Sequence, residues 1–427
     1  MNHTTVAVFV ALLVGGCASS GVKLEEVSDK DMNAFLADKP AQMHGHYRNV
    51  LVEGERNVVL NLMRTGVAAY ELGDHEAAKR DFDEVLQRID SIYADTPGAK
   101  KARKKFHAEK NKEFKGESYE RAMAHYYRGL LYLEDEDYEN ARASFLSAQL
   151  QDTLAEEEDY AADFASVEWL AGWASHCQAR TGKNTSSFSR LAGEHFRGAE
   201  KQRSGLERPG SSDNLLVIVE TGAAPLKVAS DRGVEYLEYR RGKHTFGRPS
   251  LLVNSRNYKL AMGEDVFHQA STRGGRQVDV VNAGKAEFKQ SAQDTAVAAA
   301  GVGRAGMETA SGLLNIGKST GNYSSDLVNA AGAAAAIGLL SGIVSGVSSA
   351  AAKRTKPDAD LRYWDNLPDK IYLGSVHLNN PDIDVELKVG NKSIEKSNLA
   401  YNPVGCDIVW ARTESATSIP ATHPNAR

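Results

Sequence analysis

At 427 residues, with 42% hydrophobic and 25% charged positions, the chain has an ordinary globular composition and enough length for two or three domains. A net charge of -5 with a pI near 6.2 excludes the strongly basic footprint of a nucleic-acid-binding protein. The three cysteines, Cys17, Cys177 and Cys406, stand too far apart for a zinc-type ligand spacing.

Residues 6–14 form an almost unbroken apolar run, long enough for the core of a secretory signal and too short to span a bilayer. The run ends in Gly15, Gly16 and Cys17, followed by Ala18, where small residues let the chain enter a processing enzyme in extended form. Residues 1–5 contain no Lys or Arg, which departs from the usual charged start of a signal. The stretch resembles the lipobox of bacterial lipoproteins. That resemblance implies a signal peptide over 1–16, acylation (palmitate-type chains) of Cys17 as the first mature residue, and outer-membrane sorting, because Ala18 rather than Asp follows the cysteine. Two or three acyl chains on one residue give effectively permanent attachment, since each buried methylene adds about 0.8 kcal/mol. With Cys17 lipidated, Cys177 and Cys406 remain, and the reading favours two buried free thiols over a pair.

Residues 17–56 are polar and lack periodicity, so they read as a lipidated tether. From residue 57 to 203 the pattern is helical. Gly66, Tyr70, Ala78 and Phe82 surround a turn at Gly73 and Asp74, and the same frame returns as Gly129, Tyr132, Ala141 and Phe145 around Asp137. A weaker copy runs from Trp169 and Gly172 to Ala192 and Phe196, with its loop stretched around residues 182–187. The small residues let paired helices approach while the aromatics fill the space beside them. This frame is similar to the tetratricopeptide repeat, which implies an α-solenoid with a protein-docking surface. The lysine-rich stretch 100–115 reads as a solvated helix face; a patch for anionic headgroups or an acidic partner is the alternative. His75 stands where the repeat usually has an aromatic residue, so it is assigned to packing.

A Gly, Pro and Ser-rich break at 204–214 separates this region from a β-containing domain over 212–412. Strands are expected at 215–220, 251–254, 278–281, 370–378, 383–389 and 406–411. An Ala and Gly-rich helical hairpin is expected as an insertion over 291–353. It includes 26 uncharged residues, 327–352, in which Gly338, Gly342 and Gly346 recur every fourth position like a glycine zipper. That spacing opens a groove for helix packing or oligomerisation. Residues 413–427 read as a disordered tail. The fold class is therefore α+β.

Gly312 to Ser319 fits the phosphate-binding pattern G-x-x-x-x-G-K-[ST], with Lys318 at the lysine position. No β-branched run precedes it to deliver the loop, so nucleotide binding is not expected. No H-E-x-x-H, G-x-S-x-G or C-x-x-C occurs. No catalytic set, cofactor, metal or nucleic acid is expected.

The pieces Phe114-Lys-Gly116-Glu-Ser-Tyr119-Glu120-Arg, Gly222 to Pro225 with Lys227, and Asp360-Leu-Arg362-Tyr-Trp364 with Leu367 and Pro368 resemble a poorly characterised family of bacterial outer-membrane lipoproteins with tetratricopeptide-like helices. Leu361 departs from the small polar residue expected there. Members are often encoded beside lipoprotein activators of penicillin-binding proteins. The resemblance implies a periplasm-facing interaction scaffold in cell-envelope assembly, touching peptidoglycan synthesis, with envelope proteins or other lipoproteins as partners. The alternative is a subunit of an oligomeric outer-membrane export or pore assembly built on the glycine-spaced helix. Asp360, Arg362 and Trp364 are read as structural: an ion pair and an aromatic that fix the last helix against the sheet.

Overall fold

The computed structural model describes residues 24–93, 113–153, 163–230, 233–242, 247–273, 360–379, 383–390, 392–399 and 402–416. The expected strand at 278–281, the inserted hairpin, the phosphate-binding-like motif and the glycine-spaced stretch lie outside these residues.

The architecture is mixed α and β: helices fill the N-terminal part and strands the C-terminal part. Two short helices, α1 (Asp29–Leu36) and α2 (His44–Val52), come first. They occupy the stretch expected to be a tether. Helices this short carry too few apolar positions to register as periodic, and packing on the next helix stabilises them more than propensity does. Ser28 caps α1, accepting a hydrogen bond from the Asp31 N–H at 3.2 Å.

Three antiparallel hairpins follow: α3 (Val58–Glu71) with α4 (His75–Tyr93), α5 (Ser118–Glu134) with α6 (Tyr138–Thr153), and α7 (Ala165–Arg180) with α8 (Thr185–Gln202). Each is built around a glycine on the first helix and a phenylalanine on the second. A Cβ at Gly66 would lie 2.9 Å from the Phe82 ring, one at Gly129 2.5 Å from Phe145, and one at Gly172 2.8 Å from Phe196. No side chain fits there, so the two helices close on the ring itself. The first two turns also match. Gly73 and Glu136 adopt positive φ (74° and 57°), and the following Asp74 and Asp137 cap the second helices through the N–H groups of Ala77 and Asn140. The third copy differs from the expected stretched loop, because α8 begins at Thr185, directly after Asn184.

Two four-stranded sheets lie beyond. The first has the order β10-β1-β7-β6, from β1 (Leu215–Thr221), β6 (Ala261–Asp265), β7 (Lys370–Val376) and β10 (Asp407–Arg412). β1 runs parallel to β10, with Ile218 opposite Trp410, and antiparallel to β7, with Ile218 opposite Leu373. The second sheet has the order β5-β4-β8-β9, from β4 (Pro249–Val253), β5 (Arg256–Lys259), β8 (Ile383–Val389) and β9 (Lys392–Leu399). A ribbon of β2 (Leu226–Ser230) and β3 (Gly233–Arg240) and the short helix α9 (Val266–Arg273) join these sheets in the C-terminal part.

β1 shows why the layers stack as they do. All seven of its residues are buried, as a continuous apolar run requires of a strand covered on both faces. Leu216 and Ile218 join the core of the helices, while Leu215, Val217 and Val219 join a second core with Leu251, Val385 and Leu387 of the other sheet. The period-2 alternation thus separates two cores, giving helices, first sheet and second sheet as three layers.

The first helix of each hairpin faces the first sheet and the loops at its ends. Every residue of α3 from Val58 to Tyr70 is buried, which marks a helix covered all round. Cys177 on α7 and Cys406 before β10 form a disulfide across 229 residues of sequence. This corrects the reading of two free thiols: sequence spacing says nothing of distance in space, and the fold brings the Cα atoms to 5.7 Å. Residues 413–416, expected to belong to a disordered tail, are packed on the fold, and the rest of that expected tail lies outside the described residues. Thr413 donates its N–H to the Glu220 carbonyl, and Ala416 is fully buried.

Candidate functional site at the seam between helices and sheet

The three motifs that carried the family resemblance meet at one place. Gly116 takes a positive φ of 70°, which turns the chain into α5 with Glu117 at the N-cap. There the Glu117 side chain accepts the Glu120 N–H and the Glu120 side chain accepts the Glu117 N–H, a reciprocal capping pair. The second oxygen of Glu120 accepts the backbone N–H of Trp364 at 2.6 Å. Lys227, at the start of β2, donates its Nζ to Glu117 Oε1. Arg362 grips Asp360 through Nε and Nη2 at 2.8 and 2.6 Å, and its Nη1 reaches the Arg56 carbonyl and Asn57 Oδ1. Arg362 also lies over the Phe114 ring, 5.5 Å from its centre. Burial pushes the Glu120 carboxyl up to about 7. At Lys227 burial works against the charge, but Glu117, Asp360 and Glu120 outweigh it and hold the ammonium above its usual range.

A second knot lies farther along the same seam. The fully buried Glu220, at the end of β1, accepts hydrogen bonds from Tyr126 Oη, Tyr127 Oη and Trp410 Nε1 at 3.2, 2.9 and 3.1 Å. Trp364 packs against Phe82 and Tyr127, ring centres 6.2 and 5.8 Å away. Arg64 on α3 holds Asp365 with two hydrogen bonds, 2.7 and 3.0 Å, and Asn366 Nδ2 donates to the Arg64 carbonyl. The inner face of the hairpins is thus filled by the chain's own residues 360–369 and 407–416. Polar groups buried this deeply stay only where they are paired.

Open concavities among the described residues include two grooves. A groove of about 540 Å³ runs between α1, α2 and α4, walled by Phe35, Tyr47, Leu51 and Leu62 with Lys39 and Arg80 among its charged lining residues. At its polar end Tyr47 Oη donates to Asp81 Oδ2 at 3.1 Å, and burial pushes the Asp81 carboxyl up to about 6. A second, of about 470 Å³, lies beside Trp169, Asp213 and β7. Among the described residues no group of three or more His, Cys, Asp or Glu is placed to hold a metal ion, and no helix is long and apolar enough to cross a membrane.

Of the residues singled out from the sequence, Cys17, Lys318, Gly338, Gly342 and Gly346 lie outside the described residues, as does most of the lysine-rich stretch. His75 packs on Tyr70, ring centres 5.4 Å apart, and its Nδ1 meets Glu134 at 2.7 Å. Asp360 and Arg362 form the expected ion pair and Trp364 is a buried aromatic, but residues 360–369 are not helical and they pack on α3 and α5 instead of fixing a last helix against the sheet. Sequence reading missed Glu220, Arg64 and Asp365. Glu220 carried a signal, an acid closing an otherwise apolar strand; the other two carried none. Comparison with known proteins returns no family model, no curated protein and no solved structure that matches the chain.

Proposed function

We propose that the protein is a lipid-anchored scaffold of the bacterial cell envelope, held at the periplasmic face of the outer membrane through Cys17 and engaging other envelope proteins without catalysis. The observation that carries this reading is the hairpin array itself: three stacked helical pairs sharing one glycine-on-phenylalanine contact, as a tetratricopeptide-type solenoid requires, behind a lipobox. The disulfide supports an oxidising compartment. The inner face, where an open solenoid would take its partner, is occupied by the chain's own C-terminal part. A partner therefore meets the outer helices and the groove beside α1 and α2, and the tether lets a weak contact suffice by raising local concentration.

The test has two arms. Radiolabelled palmitate is expected on the wild type and lost in Cys17→Ala, which moves to the soluble fraction; label on the variant would sink the anchor. A photo-crosslinking amino acid at position 80, in cells, is expected to capture a discrete envelope protein. No captured species above background there or on the exposed faces of α4, α6 and α8 would sink the scaffold.

A further inference from the structure

Lys227 and Glu117 make an unusual pair. Their side chains are only 2% and 11% exposed, and they join two elements far apart in sequence, the start of β2 and the N-cap of α5. Three carboxylates surround the lysine, but two are committed elsewhere. Asp360 is held by both arms of Arg362, and both Glu120 oxygens accept backbone N–H groups, from Glu117 and Trp364 at 2.7 and 2.6 Å. Glu117 alone of the three receives the Lys227 Nζ.

We propose that Lys227 and Glu117 condense to an intramolecular amide, a covalent cross-link between the helical array and the C-terminal part. The step balances within the pair. The Lys227 ammonium passes one proton to the Glu117 carboxylate, the freed Nζ attacks Cδ, an N–C bond forms, a C–O bond breaks, and one water leaves. Ammonium plus carboxylate become amide plus water, with no oxidant, cofactor or net proton exchange.

Three features favour it. A buried ion pair retains a desolvation cost that a neutral amide lacks. Groups held in contact react with effective molarities of roughly 10⁵–10⁸ M. The Glu120 N–H already donates to the Glu117 carboxyl, and with the N-terminus of α5 it faces the negative charge that grows on oxygen during attack.

The experiment is a peptide map of the full-length wild-type protein, purified from its membranes, reduced, denatured and digested with trypsin. The expected result is a branched peptide joining Lys227 to Glu117, lighter by one water than its two parts, with cleavage after Lys227 lost. Unlinked peptides cleaved normally at Lys227 would overturn the proposal and leave an ion pair only. Lys227→Arg should abolish the branched peptide. If the variant fails to fold, the wild-type map still decides.

Discussion

Inside each helical hairpin a glycine backbone lies on a phenylalanine ring; across the seam to the sheet, Arg64 grips Asp365 and Glu220 gathers two tyrosines and a tryptophan. The first kind of contact is non-directional and local, set by shape within a few tens of residues. The second is directional and joins residues 301 positions apart. Shape complementarity gives stability that is independent of pH and salt, while buried charge costs desolvation and repays it only in one arrangement. The hairpins thus supply stability, and the seam decides which surface of the array the C-terminal part covers.

The comparison breaks most sharply at Phe145. Phe145→Ala leaves an empty slot above Gly129 that neither helix can fill, and the expected loss is about 4 kcal/mol, read as a lower denaturant midpoint. An equal loss on replacing an exposed residue of α6 such as Leu150, 61% exposed, would show that the ring is nothing special. At the seam, Arg64→Met removes both hydrogen bonds that Arg64 gives Asp365 and should cost about 3 kcal/mol, whereas Arg64→Met with Asp365→Leu should recover much of it. A double variant as unstable as the sum of the singles would mean that the pair does not act as a unit.

Much of the first region was legible in the sequence, and little of the second. The glycine and aromatic spacing around 66–82 and 129–145 reports a local contact, and the alternation in 383–389 matches β8 residue for residue. The motifs at Glu117, Lys227 and Arg362 were visible as motifs, but nothing in their spacing says that they converge. Cys177 and Cys406 behave alike: only the packed fold makes them neighbours. Helices α1 and α2 escaped notice because eight or nine residues hold about two turns, too few for a period to emerge.

The disulfide belongs to the seam and offers a milder way to test it. Reduction, or Cys177→Ser with Cys406→Ser, should lower stability by about 2–3 kcal/mol, with the hairpins remaining helical by circular dichroism. Loss of helix signal at the same midpoint as the sheet would show instead that the two regions unfold as one unit. The amide proposed between Lys227 and Glu117 would limit this loss, because the two regions would stay joined.

The smallest expected effect concerns pH, and it separates the two regions by whether a buried acid titrates. Glu264 on β6 is fully buried, with Arg203, Gln269 and the N–H groups of Ser166 and Asp265 facing it, and with His268 and Asp163 nearby through Gln269 and each other. Burial pushes its carboxyl from an ordinary 4.5 up to about 7, with Arg203 opposing the shift. A carboxyl that holds its proton more tightly when folded contributes fully below the unfolded value, and that contribution is lost as pH rises through about 7. Between pH 5 and 8 the wild type should therefore lose on the order of 1–2 kcal/mol from this group, and Glu264→Gln should flatten that slope. Phe145→Ala, which removes no titrating group, should lower the midpoint by the same amount at both pH values. If the slope instead vanished in Phe145→Ala and persisted in Glu264→Gln, the division between an apolar array and a charged seam would be wrong, because the titration would then report the packing of the hairpins and not the acid buried beneath them.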